Sequence, residues 1–155
     1  MDAQITFVSD HAILIFFQPR HGVHRDICAV CKRLEDENLP ILNLHPAYES
    51  LLVDFDPSTA NPHELFREIQ ELVSRTINDD RIEAEPERVV EIPVSYGGEE
   101  GPDLTALAQM TRLSEDEVVK LHTGSEYEVA FLGFAPGFAY LLGLDPRLIA
   151  PRLSS

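Results

Sequence analysis

Asn61-Pro-His-Glu-Leu-Phe-Arg-Glu-Ile-Gln-Glu-Leu-Val73 carries both the start and the buried face of a helix. Asn61 can cap the free N–H groups of a first turn. Pro62 suits the first helical position, where no N–H needs a partner, and Glu64 completes a capping-box pattern. Leu65, Ile69, Leu72 and Val73 then share one face. This spacing predicts a helix over 62–78. Upstream, Val23, Ile27, Val30 and Leu34 recur at helical spacing and predict a second helix over 21–37. Between and around these helices lie runs that read as strands. Ile5–Val8 is rich in β-formers. Ala12–Phe17 is wholly apolar, as a central strand should be. Ile41–Leu44 and Leu51–Phe55 flank a turn at 46–49, and Val89–Val94 is a further β-like run. From Ala12 onward the order is β-α-β-β-α-β, a split βαβ or ferredoxin-like arrangement within an α+β chain. That arrangement serves many functions and by itself names none.

Composition divides the chain in two. Seven of the eight glycines follow Ser95, and the stretch 78–88 is acidic and polar with one proline, which reads as a linker. The expected domains are therefore 1–88 and 89–155. In the second, residues 102–110 and 115–121 read as helices, the latter opened by the capping box Ser114-Glu-Asp-Glu117. The runs 127–132 and 139–144 read as strands.

With 27 acidic residues against 12 Lys and Arg, the formal charge is −15. Nucleic-acid binding draws on Lys and Arg to neutralise phosphates, so this balance argues against it, and equally against an anionic membrane surface. No apolar run approaches the roughly 20 residues of a membrane-spanning helix. The N-terminus has no basic signal region, and a cytoplasmic location is expected.

Between the last two strands lies Gly133-Phe-Ala-Pro-Gly-Phe138. Glycines let a backbone turn sharply or approach a ligand, and two phenylalanines could wall an apolar slot. A buried turn anchored by the same two rings is the competing reading. His21, His24, Cys28 and Cys31 have metal-like spacing but fall on one predicted helix. At about 1.5 Å per residue they spread too far to share one ion. The cysteines read instead as reduced thiols on or beside a buried helix face, with no metal. His11, His45 and His63 are scattered. His122 ends the second capped helix and precedes the strand that feeds the Gly/Phe loop. A cation there is favoured by the helix C-terminus, so a capping role competes with a functional one. No phosphate-binding loop is present, the only lysines being Lys32 and Lys120, and no nucleophile elbow occurs.

Several motifs of the second region fall in a familiar order: Val90-Glu-Ile-Pro-Val-Ser-Tyr-Gly-Gly98, Gly101-Pro-Asp-Leu104, Leu113-Ser114, Glu117-Val118, Leu121-His-Thr123, Gly133–Phe138, Tyr140-Leu141 and Pro151-Arg-Leu153. They resemble the allophanate hydrolase subunit 1 family. It includes the B-type subunit of prokaryotic 5-oxoprolinase, which is the nearest member, Kip-type inhibitors of a histidine kinase, and a segment of urea amidolyase. The resemblance implies an N-terminal α/β domain followed by a cyclophilin-like β-barrel. It implies two partners, a lactam-utilisation protein of the A type in 5-oxoprolinase and a homologous second subunit of the C type. It further implies ATP, with magnesium, bound by the complex and not by this chain alone, and opening of 5-oxo-L-proline to L-glutamate. The alternatives it leaves are a module that inhibits a histidine kinase and a urea- or allophanate-processing subunit. By position it implies a catalytic role for His122 and substrate binding by Tyr96, Phe134, Pro136, Gly137, Phe138 and Arg152. Residues 95–155 number 61. An eight-stranded barrel needs roughly 80. The expectation is a truncated barrel with unpaired edges and no activity of the chain on its own.

Overall fold

The computed structural model describes residues 3–78 and 88–151. The first compact unit comprises residues 1–87 together with 130–139. Its elements are β1 (Ala3–Ser9), β2 (Ala12–Phe17), α1 (Val23–Asp36), β3 (Ile41–Pro46), β4 (Ser50–Phe55) and α2 (Pro62–Ile77). The strands form one antiparallel sheet in the order β1-β2-β4-β3. β4 lies between β2 and β3 and runs against both, so β2 and β3 are parallel and α1 is the crossover between them.

The alternation of β2 and β4 explains where the core sits. Ile13, Ile15 and Phe17 point to one face, as do Leu51, Val53 and Phe55, and all six are buried. The register sets Ile13 opposite Val53 and Ile15 opposite Leu51. Cross-strand apolar pairs of this kind hold register, because a one-residue slip would turn every core side chain to the other face. Val23, Ile27, Val30 and Leu34 of α1 complete this core, with Leu65, Ile69, Leu72 and Val73 of α2. The Asn61 side chain accepts from the N–H groups of His63 and Glu64, the cap read from the sequence.

One strand of the expected sheet is elsewhere. Val89–Val94 has no regular structure, and Val89, Val90, Ile92 and Val94 are exposed. The place beside β2 that the last strand of a βαββαβ unit would take is held by β1, paired from Ala3↔Phe17 to Ser9↔Ala12. A strand forms only where a neighbour takes up its backbone N–H and C=O groups, so β propensity without a free edge leaves the chain irregular. The N-terminal run supplies the edge instead. Its Phe7 stacks on Phe66 of α2 at 4.9 Å between ring centroids.

Helix α1 begins after Gly22, which is left-handed at φ 79°, so His21 lies before the helix and not on it. The sequence predicts both cysteines on or beside a buried helix face; Cys28 is exposed, which corrects that packing for it, and its thiol reaches the carbonyl of Ala130 at 3.9 Å. Cys31 is the partly buried one, packed against the core. Burial, followed by the neighbouring Cys28 and Glu35, pushes its thiol up to about 12.

The second unit comprises residues 88–129 and 140–155. It contains α3 (Leu104–Thr111) and α4 (Glu115–Thr123), and a short 3-10 turn at Pro146–Leu148. Ala108, Val118 and Leu148 form its small core, with Leu104, Leu107, Leu113 and Leu121 against them. Strands β5 (Glu128–Leu132) and β6 (Ala139–Leu142) pair as a hairpin whose distal residues, 130–139, group with the first unit. There Phe131 meets Tyr48 edge to face at 5.0 Å. Outside the four-stranded sheet, β5 and β6 are the only strands among the described residues, and the expected barrel is not assembled from them. The acidic linker expected at 78–88 falls almost wholly outside the described residues. No helix among the described residues is long and apolar enough to cross a membrane.

The start of α4 is a full capping box. Ser114 Oγ accepts from Glu117 N–H, and Glu117 accepts from Ser114 N–H at 2.8 Å. Ser114→Ala is expected to cost about 1 kcal/mol in urea unfolding. The same bonds from Ser114 hold the Glu117 carboxyl below its ordinary value. A depressed carboxyl stabilises above its unfolded pKa and ceases to as pH falls through its folded pKa. Thermal midpoints of the wild type and Glu117→Gln should therefore differ near neutrality and converge on acidification through that window.

Candidate functional site

The pocket of the second unit is built on a glycine turn and a helix end. Gly97 and Gly98 follow Tyr96 with φ 73° and 61°, a conformation that disfavours side chains. Gly101 closes the turn by donating its N–H to the Gly97 carbonyl at 3.0 Å, and a Cβ on Gly101 would lie 2.6 Å from the Gly97 nitrogen. The turn is therefore available only to glycine at Gly101, and it fixes where Tyr96 leaves the backbone. His122 occupies the last turn of α4, whose direction is set by the Ser114 capping box. The two meet: Tyr96 Oη lies 2.5 Å from His122 Nδ1, with the rings edge to face at 5.8 Å.

Together they line a pocket of about 330 Å³. Leu104, Leu107, Val118, Leu144 and Leu148 supply its apolar wall, and Ser95, Glu100 and Asp103 join Tyr96 and His122 as side chains carrying polar groups. The two charged residues, Glu100 and Asp103, are both acidic, and the described lining contains no Lys or Arg. Beside this group is Tyr127, its ring 5.2 Å from that of His122 and its buried Oη without a hydrogen-bond partner among the described residues. Burial raises the Tyr127 pKa; the nearby Tyr96 adds to the rise and Ser125 opposes it. The sequence assigns no role to Tyr127 or Glu100, and Asp103 stands only within the Gly101-Pro-Asp-Leu104 motif, because the turn and helix that gather them are far apart along the chain.

The Gly/Phe loop belongs to the first unit, while Tyr96 and His122 belong to the second. The loop is a tight hairpin end: Gly133 N–H donates to the Phe138 carbonyl and Phe138 N–H to that of Ala135. Gly137, after Pro136, takes φ 78°, as a turn glycine should. Phe134 takes φ 65°, a left-handed conformation that no bulky side chain favours, and is 91% exposed. Among the described residues its ring contact is with Phe138, T-shaped at 5.5 Å between centroids. Neither the apolar slot nor the buried anchor read from the sequence describes Phe134, which stands out from the turn. Arg152 lies outside the described residues.

Phe134 therefore stands at a strained position that gains little burial. A left-handed L-residue costs about 1–2 kcal/mol, less for Asn, whereas an aromatic pair returns about 0.5–1.5 kcal/mol and least when exposed. Phe134→Asn is expected to raise the unfolding free energy by about 0.5 kcal/mol in a urea titration. A loss of stability would show that the Phe138 contact outweighs the backbone cost.

A family model described as the carboxyltransferase domain, subdomain C and D, matches residues 3–155. The chain belongs to this family, which includes the B-type subunit of 5-oxoprolinase. It is 36% identical over 98% of its length to the Bacillus subtilis protein that bears this B-type name, covering 68% of that protein. It is 45% identical over 59% of its length to the Escherichia coli O157:H7 protein of the same name, covering 42% of it. Among solved structures, TTHA0988 is 32% identical with a TM-score of 0.74, over 93% of this chain and 28% of that one. The Kluyveromyces lactis urea carboxylase shares the fold at 15% identity and a TM-score of 0.61, over 93% of this chain and 15% of that one. The chain thus spans between two fifths and two thirds of these two bacterial relatives, and a smaller part of the longer proteins.

Proposed function

We propose that this chain acts as a B-type component of an ATP-dependent 5-oxoprolinase complex, contributing a pocket that binds the lactam. The observation that carries the reading is the Tyr96–His122 pair set in a largely apolar pocket, in a chain whose curated relatives bear the name of the 5-oxoprolinase B-type subunit. In the proposed reaction the ring C–N bond of 5-oxo-L-proline breaks. Water supplies oxygen to the carbonyl carbon and a proton to the nitrogen, and ATP hydrolysis drives the opening. His122 would orient the substrate or exchange a proton with it, and the leucine wall would exclude water and strengthen that polar contact. Among the described lining residues the charged ones, Glu100 and Asp103, are both acidic, and the several negative charges of a triphosphate would meet far more repulsion there than the single carboxylate of 5-oxo-L-proline. Binding ATP and its magnesium is therefore assigned to the partners, a lactam-utilisation protein and a homologous second subunit. A cyclophilin-like barrel to which this region would contribute only the N-terminal part, and a cytoplasmic location, belong to the same reading.

The exposed Phe134 supports a second reading for the loop, in which it docks a protein instead of substrate, either the second subunit or a histidine kinase. The test of the first reading is co-expression with both partners and an assay of 5-oxoproline-dependent ATP hydrolysis. Activity is expected with this chain present and lost when it is omitted. Undiminished activity without it would overturn the reading.

A further inference from the structure

We infer that Tyr96 is a positioning residue that holds neutral His122 with its proton on Nε2, so that the pocket offers a hydrogen-bond donor to the carbonyl oxygen of an amide or lactam ring. The ligand half rests on the function proposed above; the proton assignment does not.

The argument starts from the 2.5 Å contact between Tyr96 Oη and His122 Nδ1. A neutral imidazole has one N–H and one bare nitrogen, and the partner of one nitrogen determines the state of the other. Two arrangements are open. If Nδ1 carried the proton, it would donate to the phenol oxygen, a weak acceptor because its lone pair is shared with the ring. The Tyr96 O–H would then need another acceptor, and among the described residues Tyr96 Oη has no partner but His122. A partly buried O–H left unmet carries a desolvation cost. If Tyr96 donates instead, its proton meets a strong acceptor, Nδ1, and both groups are satisfied. The proton then sits on Nε2, across the ring, which has no partner among the described residues.

The remaining surroundings fit a neutral acceptor. The aromatic groups facing the imidazole are Tyr96 and Tyr127, neither of which is a cation. Glu100 and Asp103 line the same pocket, so a carboxylate on the ligand, such as that of 5-oxo-L-proline, would have to point away from them. Five leucine and valine side chains surround the space that a small ring would fill. The lactam carbonyl oxygen, which carries no formal charge, presents what an Nε2–H donor needs.

The test is a long-range proton–nitrogen correlation spectrum of the full chain labelled with nitrogen-15 histidine, recorded where the imidazoles are neutral. The His122 signals are identified by their loss in His122→Gln. The expected result is Nδ1 in the bare-acceptor range and Nε2 in the protonated range. The reverse pattern in the wild type overturns the inference without recourse to any variant. Tyr96→Phe retains the ring contact and is expected to move both resonances toward the averaged mid-range; an unchanged spectrum from folded Tyr96→Phe removes Tyr96 from the role. Titration with 2-pyrrolidinone, a neutral lactam, is expected to shift the Nε2 resonance more than the Nδ1. Saturating lactam with no shift overturns the ligand half. Full turnover of the complex without this chain would end the proposed function and leave the proton assignment standing, whereas full turnover with His122→Gln would end only the part proposed for His122 in it.

Discussion

Replacing His122 with alanine in the reconstituted complex is expected to lower 5-oxoproline-dependent turnover by about 10²-fold or more. The residue lies at the end of a helix whose direction is fixed by a complete capping box, and Tyr96 holds its ring. Its place is thus defined from both sides, and loss of the imidazole removes the group proposed to exchange a proton with the substrate. The last turn of α4 does not depend on this side chain, because Gly124 N–H closes it on the Lys120 carbonyl at 3.0 Å. Circular dichroism of the variant should therefore match wild type, and association with the partner proteins should persist. Turnover within about threefold of wild type, far below the acid–base range, would leave His122 only its helix-capping role.

Phe55→Ala is expected to cost about 3–5 kcal/mol of unfolding free energy, read as a lowered urea midpoint. Phe55 is 1% exposed on β4, one of the two strands flanked on both sides in the sheet, and lies among the largest fully buried side chains. A truncation there leaves a cavity between sheet and helices that neighbours fixed by β pairing cannot collapse to fill. Domains of this size hold about 5–15 kcal/mol in total, so the loss is a large share of the whole. A control at Phe16, on the same strand as Phe17 but 43% exposed on the other face, should cost far less. Equal costs at the two sites would refute the assignment of the core to one sheet face.

The proposed pocket was only partly legible in the sequence. His122 stood out through its place at a helix end, and the resemblance added Tyr96. Their contact was not readable, because it joins a glycine turn to a helix terminus 26 residues away. Glu100 and Tyr127 carried no local signal, and Asp103 stood only as part of the Gly101-Pro-Asp-Leu104 motif. The Gly/Phe loop was conspicuous, yet its outward Phe134 follows from a left-handed backbone that composition does not reveal.

Local chemistry determined much of the first unit. The helical periods of Val23–Leu34 and Leu65–Val73, the Asn61 and Ser114 caps, and the alternation in β2 and β4 all act within a few residues of one another, so the sequence states them directly. The tertiary structure decided which run takes the edge beside β2. Ile5–Val8 and Val89–Val94 have comparable β propensity, and only one can hydrogen-bond to that edge. β1 takes it through an antiparallel pairing reached by a two-residue turn, whereas the later run would have to come back from beyond α2. Closing a short loop costs less entropy than closing a long one, and that comparison lies between segments, where no single stretch of sequence records it.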